Sequence, residues 1–211
     1  MPLSWKRSSN VDFPQIWSRF KAKDNDGAEV EYRIEDLTKD RFHEAIYVMQ
    51  RHHMESEVLR VKKIRDEPVS FHEITEKWWD CMRQKVTLVC FKENSDKIVG
   101  LNVLGVVTKA ESSQAHSYKG KGWSEICNSK KFVTDTFFDP FNHYSVDTLM
   151  FALGLIVLPE YRQRGIAFEL MKARELIGPA VGIQVTSNVF TSFGAQKAAE
   201  KAGYETNFTM K

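Results

Sequence analysis

Cysteine is scarce in this chain of 211 residues, which contains only Cys81, Cys90 and Cys127. The number is odd and no two form a CxxC pair, so neither a disulfide framework nor a zinc cage is expected. We therefore predict that the protein holds no metal ion and lies in a reducing, cytoplasmic compartment.

Long apolar runs are absent as well. The longest apolar segment extends from Leu149 to Leu158. It has about half of the ~20 residues that a membrane-spanning helix needs. The first ten residues include Lys6 and Arg7 but lead into no apolar stretch, which argues against a secretory signal. We expect no membrane partner.

An excess of one charge is the third absence. Thirty Lys and Arg stand against 28 Asp and Glu, a net charge of +2. A balance this close to zero provides no reason to expect nucleic acid as a partner.

The length predicts one domain at residues 29–211, preceded by a polar lead-in at 1–28 and carrying an insertion at about 109–147. In the first half, Val30, Tyr32 and Ile34 alternate with charged residues and predict a strand. A helix is expected after Thr38, and a second is expected to begin at Ser70 with Glu73 in a capping box. Two β-rich runs at 86–91 and 98–108 predict an antiparallel hairpin.

The second half alternates strands with helices, which predicts βαβ units and some parallel pairing. The expected elements are a strand at 149–158 that is covered on both faces, a helix at 164–177, a strand at 182–187, a helix at 192–202 and a last strand from Tyr204.

The segment from Pro159 to Ala167 is the most informative. A buried strand ends at Pro159, and a short loop with two arginines leads into a helix with Gly165 at its start. The unpaired N–H groups of a first helical turn, and the helix dipole, favour an anion such as phosphate there. Neither a P-loop nor a dinucleotide-binding GxGxxG pattern is present.

What stands in this loop is Arg162-x-x-Gly165-x-Ala167, which resembles the pyrophosphate motif of the GNAT superfamily of acetyl-CoA-dependent N-acetyltransferases. The stretch from Ala198 to Tyr204 resembles the closing helix and turn of that superfamily. The resemblance implies an α/β (α+β) GNAT fold: a mixed, mostly antiparallel central sheet with a splayed parallel strand pair and helices on both faces. It also implies a set of acetyl-CoA-binding residues, namely Leu155, Ile156, Val157, Arg162, Gln163, Arg164, Gly165, Ile166 and Ala167.

More narrowly, the chain is similar to the insect arylalkylamine (dopamine) N-acetyltransferases, with His52 to Leu59 in place of the acidic segment that carries their general base. On that alignment Glu57 takes the base position, with Glu55 and His53 as nearby substitutes. A base is needed because alkylamines are protonated at neutral pH.

The general acid is less defined. Where relatives carry a tyrosine or serines, this chain has Ala199 and Ala195. Thr191 and Ser192 remain as candidates, or no protein acid is used, since a thiolate with a pKa near ~8.5 leaves readily.

The expected function is acetyl transfer from acetyl-CoA to a small arylalkylamine or alkylamine, by direct attack in a ternary complex of a monomeric enzyme. Two alternatives stay open: a non-catalytic acyl-CoA-binding protein, motivated by the alanines at 195 and 199, and an acetyltransferase for protein amines.

Overall fold

An antiparallel meander of five strands lies at the centre of the computed structural model, which describes residues 3–24, 27–114 and 117–209. Each strand pairs with the next one along the chain, and the predicted hairpin is present as the third and fourth strands. Within the described residues the strands are β1 (Ile16–Lys23), β2 (Glu29–Asp36), β3 (Leu88–Lys92), β4 (Ile98–Thr108) and β5 (Thr148–Val157).

Strand β1 lies in the segment that the sequence predicts as a lead-in. Phe20 and Ala22 turn towards the core, whereas Arg19, Lys21 and Lys23 are exposed. This alternation with a period of two residues is a strand signal. The sequence prediction misses it because the high content of basic residues makes the segment read as polar. The charged outer face also protects an edge strand from pairing with other chains.

Buried Asp36 attaches the N-terminal segment to the sheet. Its carboxylate accepts hydrogen bonds from Arg7 Nη1 at 2.9 Å, Trp17 Nε1 at 2.8 Å and the Gln15 N–H at 3.0 Å. A buried carboxylate is tolerated only when it is paired and hydrogen-bonded in this way.

Helices cover both faces of the sheet. One core cluster lies under the helices around Trp78 and Met49, and a second lies under the helices around Leu170 and Ile177. Among the described residues the helices are α1 (Phe42–His52), α2 (Glu57–Val61), α3 (Pro68–Arg83), α4 (Lys109–Ser113), α5 (Lys121–Thr136), α6 (Pro140–His143), α7 (Ile166–Lys172), α8 (Arg174–Ala180) and α9 (Phe193–Lys201).

The predicted capping box at Ser70 and Glu73 is wrong. Helix α3 begins at Pro68, whose fixed φ and missing N–H suit the first turn, so Ser70 already lies inside the helix. Ser70 Oγ accepts the Trp123 N–H at 2.9 Å, and Glu73 accepts the N–H groups of Lys119 and Gly120. Both side chains therefore hold the start of α5 against α3.

The second half departs from the prediction at three points. The helix expected at 164–177 is interrupted at Ala173, which separates α7 from α8. The strand expected at 182–187 is reduced to one parallel bridge between Thr186 and Met150. Residues 204–209 form no strand. The fold is the mixed α/β architecture that the sequence predicts, with its parallel pairing confined to that bridge.

In the described ranges no helix is both long and apolar enough to cross a membrane.

Candidate active site

The parallel pairing of β5 opens into a wedge immediately after Met150. The Met150 N–H donates to Val185 O at 2.9 Å, and the Ser187 N–H donates to Met150 O at 2.9 Å. At the next position, Ala152, the side chain of Asn188 replaces the neighbouring backbone, with Oδ1 accepting the Ala152 N–H at 2.6 Å. In the described part of the chain, no strand pairs with this edge of β5 beyond that point.

This opening changes the burial of β5. The sequence predicts a strand covered on both faces, but residues 151–157 are only half-buried. The correction follows from the wedge, which leaves both the strand edge and its flanking side chains accessible.

A β-bulge lies in the wedge. Between the pairs Leu104–Ala152 and Asn102–Leu155, β4 advances two residues and β5 advances three. Leu153 and Gly154 of β5 therefore lie opposite a single residue of β4. Trp78 Nε1 donates to Leu153 O at 2.9 Å, and Asn102 Nδ2 donates to Gly154 O at 2.9 Å.

Glycine is required at the bulge. Gly154 has φ +144°, and a Cβ there would collide with the terminal methyl of Met49 and lie 3.1 Å from His53 Nε2. The bulge therefore brings α1 and its following turn into contact with the strand.

Beyond the bulge, β5 turns backbone groups towards the open wedge. The Leu158 N–H donates to Val99 O at 3.0 Å, and hydrogen bonds in an antiparallel ladder alternate along a strand. Leu155 and Val157 therefore direct their N–H and C=O groups away from β4. Val157 O accepts Arg162 Nε at 3.3 Å.

The arginine-containing loop forms the floor of the wedge. Gln163 has φ +65° and Gly165 has φ +77°, a run of backbone that turns N–H groups into a concave surface suited to an anion. Arg162, Gln163 and Gly165 are exposed, and Ala167 is half-buried. The side chain of Ile166 is 1% exposed in the core, so only its backbone is available to a ligand.

Arg164 points away from the wedge. Its guanidinium pairs with Asp24, lies 3.5 Å from Tyr32 Oη and stacks over the Tyr161 ring at 4.9 Å. The expected contribution of its charge to cofactor binding is not supported by this geometry, because the side chain is used to hold the loop against β2.

The three carboxylate or imidazole candidates for the base lie in different surroundings. Glu57 is exposed at the start of α2, and no hydrogen bond or ion pair of its side chain occurs among the described residues. Glu55 pairs with Arg65 at 2.5 Å. His53 lies against the bulge at Gly154 and packs edge-on against Trp78 with ring centres 6.1 Å apart. Burial lowers the pKa of His53 to about 4.

The acid candidates lie on the opposite side of the wedge and are exposed. Ser192 caps α9, where its Oγ accepts the Ala195 N–H at 3.3 Å. Thr191 precedes it in the loop.

One charged residue beside the strand has no signal in the sequence pattern. Lys130 on α5 places Nζ 5.2 Å from the centre of the Phe151 ring. The residue as a whole is exposed, but burial around the ammonium lowers its pKa. No local motif marks this lysine, because only the packing of α5 against α3 brings it to β5.

A metal centre is not evident: in the described portion of the chain, no group of three or more His, Cys, Asp or Glu side chains converges.

Comparison with solved structures gives strong matches. A mosquito protein described as arylalkylamine N-acetyltransferase 7, from Aedes aegypti, superposes with a TM-score of 0.92 at 34% identity, over 98% of this chain and 87% of that one. Drosophila melanogaster polyamine N-acetyltransferase, described as forming N-acetylagmatine, gives 0.71 at 21% identity, over 82% and 83%. Mosquito arylalkylamine N-acetyltransferase-like 5b gives 0.67 at 17% identity, over 82% and 83%. No family model and no curated protein matches the chain.

The fold is that of a GNAT N-acetyltransferase. Within that superfamily, the identity of 34% over nearly the whole chain shows that this protein belongs to the arylalkylamine N-acetyltransferase family. The predicted resemblance is thereby confirmed.

Proposed function

We propose that the protein transfers an acetyl group from acetyl-CoA to a small arylalkylamine or other monoamine, by direct attack within a ternary complex. The observation that carries the proposal is the open edge of β5, which runs from a bulge to an anion-binding loop. Acetyl-CoA supplies an activated acyl thioester when bound.

The residues of the wedge fit such a ligand. The outward-facing N–H and C=O groups of Leu155 and the N–H of Val157 suit the amides of a pantetheine arm, as in the pairing of an added strand, whereas Val157 O already accepts Arg162 Nε. The concave backbone at Gln163 and Gly165, together with exposed Arg162, suits a pyrophosphate. Ile156 shares the ladder with Leu101 and contributes through the position of the strand.

His53 is the best-placed group to accept a proton from the amine. It is the candidate that contacts the bulge, where its imidazole is neutral and can accept a hydrogen bond from the amine. Burial lowers its pKa to about 4 and so weakens it as a base, which favours passing the proton on to solvent over storing it on the ring. Direct transfer, or transfer through one water molecule to solvent, is compatible with its partial exposure. Glu57 is exposed at the start of α2.

The leaving thiolate needs no protein acid under this proposal. Thr191 and Ser192 are exposed, and a thiolate whose conjugate acid has a pKa near ~8.5 leaves without assistance.

Lys130 favours a monoamine over a diamine. Phe151, which Lys130 contacts, precedes Gly154 by three residues, roughly 10 Å along the strand at ~3.3 Å per residue. That distance corresponds to the far end of an extended amine. A second cation there would face the Lys130 ammonium, whereas an aromatic ring or hydroxyl would face the aromatic surface of Phe151.

Other charges near Lys130 do not reverse this effect. Lys77 lies 3.8 Å from Asp80, and Arg83 lies 3.0 Å from the same carboxylate. The carboxylate of Asp80 thus already faces two cations, and Glu73 accepts the backbone N–H groups of Lys119 and Gly120.

The test combines binding with an amine panel. Isothermal titration should detect acetyl-CoA binding, and initial rates should give intersecting double-reciprocal lines with tyramine, as a ternary complex requires. Absence of acetyl-CoA binding would overturn the proposal, and binding without acetylation of any amine would favour a non-catalytic protein.

The substrate preference has its own matched variants. Lys130→Glu should raise kcat/KM for agmatine relative to tyramine at least tenfold, because it replaces a repulsive charge with an attractive one. Lys131→Glu is the control, since Lys131 points to Asp135 at 3.0 Å. An agmatine-to-tyramine ratio that is equal in the two variants would remove Lys130 from the acceptor site.

A further inference from the structure

The guanidinium of Arg174 is a buried cation without an anionic partner. The residue is 2% exposed, and no ion pair with a carboxylate is found for it among the described residues. Burial lowers its pKa. An unpaired buried charge is costly, so its retention calls for a role that an apolar side chain cannot fill.

Its guanidinium donates to neutral side chains around the wedge and lies 5.9 Å from the centre of the Tyr204 ring. Nε and Nη2 donate to Asn102 Oδ1 at 3.0 and 2.7 Å. Nη1 lies 3.4 Å from both Thr186 Oγ1 and Asn188 Oδ1. The planar fork thus bonds in two directions at once, which a lysine ammonium cannot reproduce with the same geometry.

These partners belong to the two sides of the opening. Asn102 donates to Gly154 O and so holds the bulge of β5. Asn188 lies on the segment that departs from β5, and its carboxamide accepts the Ala152 N–H at 2.6 Å and lies 3.4 Å from Ala152 O. In this position the side chain occupies the place of the next backbone pair and stops the parallel ladder.

We propose that Arg174 is a positioning residue that sets the opening of the wedge, by bonding the bulge through Asn102 and the ladder-stopping carboxamide of Asn188. Without the fork, Asn188 keeps its two bonds to Ala152 but loses its link to Asn102 through the guanidinium, and the segment around residues 186–190 can shift relative to the bulge. The edge groups of Leu155 and Val157 then no longer meet the acyl donor in a fixed geometry. This inference rests on the proposed use of acetyl-CoA.

The chain offers a matched control at the other edge of β4. Gln84 is 4% exposed, and its carboxamide accepts the Val106 N–H at 2.7 Å and donates to Val106 O at 2.9 Å. It performs the same capping of a strand edge, but outside the wedge.

The experiment compares Arg174→Lys and Arg174→Met with Gln84→Met. For both Arg174 variants we expect the Kd for acetyl-CoA to rise at least tenfold and kcat to fall. We also expect the Ala152 amide to exchange its hydrogen at least tenfold faster than in wild type, measured without ligand. Gln84→Met should speed exchange at Val106 and lower the melting temperature, but leave the Kd for acetyl-CoA unchanged.

Three outcomes would overturn the inference. One is an Arg174→Lys variant with wild-type Kd and wild-type exchange at Ala152. Another is a loss of melting temperature in which Kd and kcat per folded molecule stay unchanged, since that describes a merely structural arginine. The third is an equal effect of Gln84→Met on acetyl-CoA binding.

If the Arg174 variants do not fold, Asn188→Leu replaces them. It removes both bonds to Ala152 but leaves the buried guanidinium bonded to Asn102, and the same increases in Kd and in Ala152 exchange are expected. If wild-type protein does not bind acetyl-CoA, the proposed function is wrong. If the hydrogen exchange of the Ala152 amide is unchanged in the variants, the positioning role is wrong, whether or not acetyl-CoA binds.

Discussion

The lowered pKa of His53 makes the stability of this protein sensitive to mild acid. An unfolded histidine titrates near ~6.5, whereas burial lowers the folded value to about 4. The unfolded chain therefore binds the proton more tightly than the folded chain throughout this interval. The contribution of His53 to stability is complete above pH ~6.5 and is lost as the pH falls from there towards 4.

The size of the effect follows from the two pKa values. Linkage gives a loss of about 2 kcal/mol in the free energy of unfolding between pH 7 and pH 5, which corresponds to a fall in melting temperature of roughly 4–8 °C for a chain of this size. Desolvation is the cause of this shift, and among the described residues no neighbouring charge contributes to it.

The measurement is urea or thermal unfolding at both pH values for wild type and His53→Phe. The phenyl ring keeps the edge-on packing against Trp78 and removes the titrating group, so the variant should lose about 2 kcal/mol less than wild type on acidification. His143→Phe, at an exposed histidine, should behave like wild type. Equal pH dependence in wild type and His53→Phe would refute the reasoning.

Two further substitutions test the loop and the N-terminal attachment. Gly165→Val places a β-branched side chain at φ +77° with no neighbour within 4 Å, so it should lower stability by about 1–2 kcal/mol and raise the Kd for acetyl-CoA at least tenfold by titration. Gly182→Val, at φ +79° and equally open, should cost similar stability without changing that Kd, and equal Kd values would contradict the loop assignment. Asp36→Asn weakens the bonds to three donors at a buried position. In urea titrations it should lower the free energy of unfolding by about 3 kcal/mol, while kcat/KM of the folded fraction stays unchanged. A change below about 1 kcal/mol would show that the carboxylate does not anchor the N-terminal segment.

The strand, loop and helix that form the floor of the wedge could be predicted because their signals are local. An apolar run, a proline stop and a glycine before an amphipathic segment lie within about 20 consecutive residues, and each has one physical interpretation. The hairpin of β3 and β4 is predictable for the same reason. Strand β1 carries a local signal too, because exposed and half-buried residues alternate along it. The signal is weak because the exposed positions are lysine and arginine and apolar residues are not in the majority.

The start of α3 shows the limit of a local motif. Ser70 and Glu73 have capping-box spacing, but Pro68 begins the helix one half-turn earlier. The Ser70 hydroxyl and the Glu73 carboxylate then accept backbone N–H groups at the start of α5 and just before it, 53 and 47 residues further along the chain. A serine and a glutamate three residues apart therefore look the same in the sequence whether they cap their own helix or bind the N-terminus of a distant one.

The catalytic side of the wedge depends on contacts that no local pattern encodes. The resemblance places the base at Glu57, but this exposed carboxylate lies four positions after His53, the residue that contacts the bulge at Gly154. The bulge accepts hydrogen bonds from Trp78 on α3 and Asn102 on β4, and Arg174 on α8 in turn holds Asn102. A residue can therefore be assigned to the chemistry only after the register of β4 and β5 is known, since a shift of one residue would exchange the backbone groups that face the wedge for those that face β4.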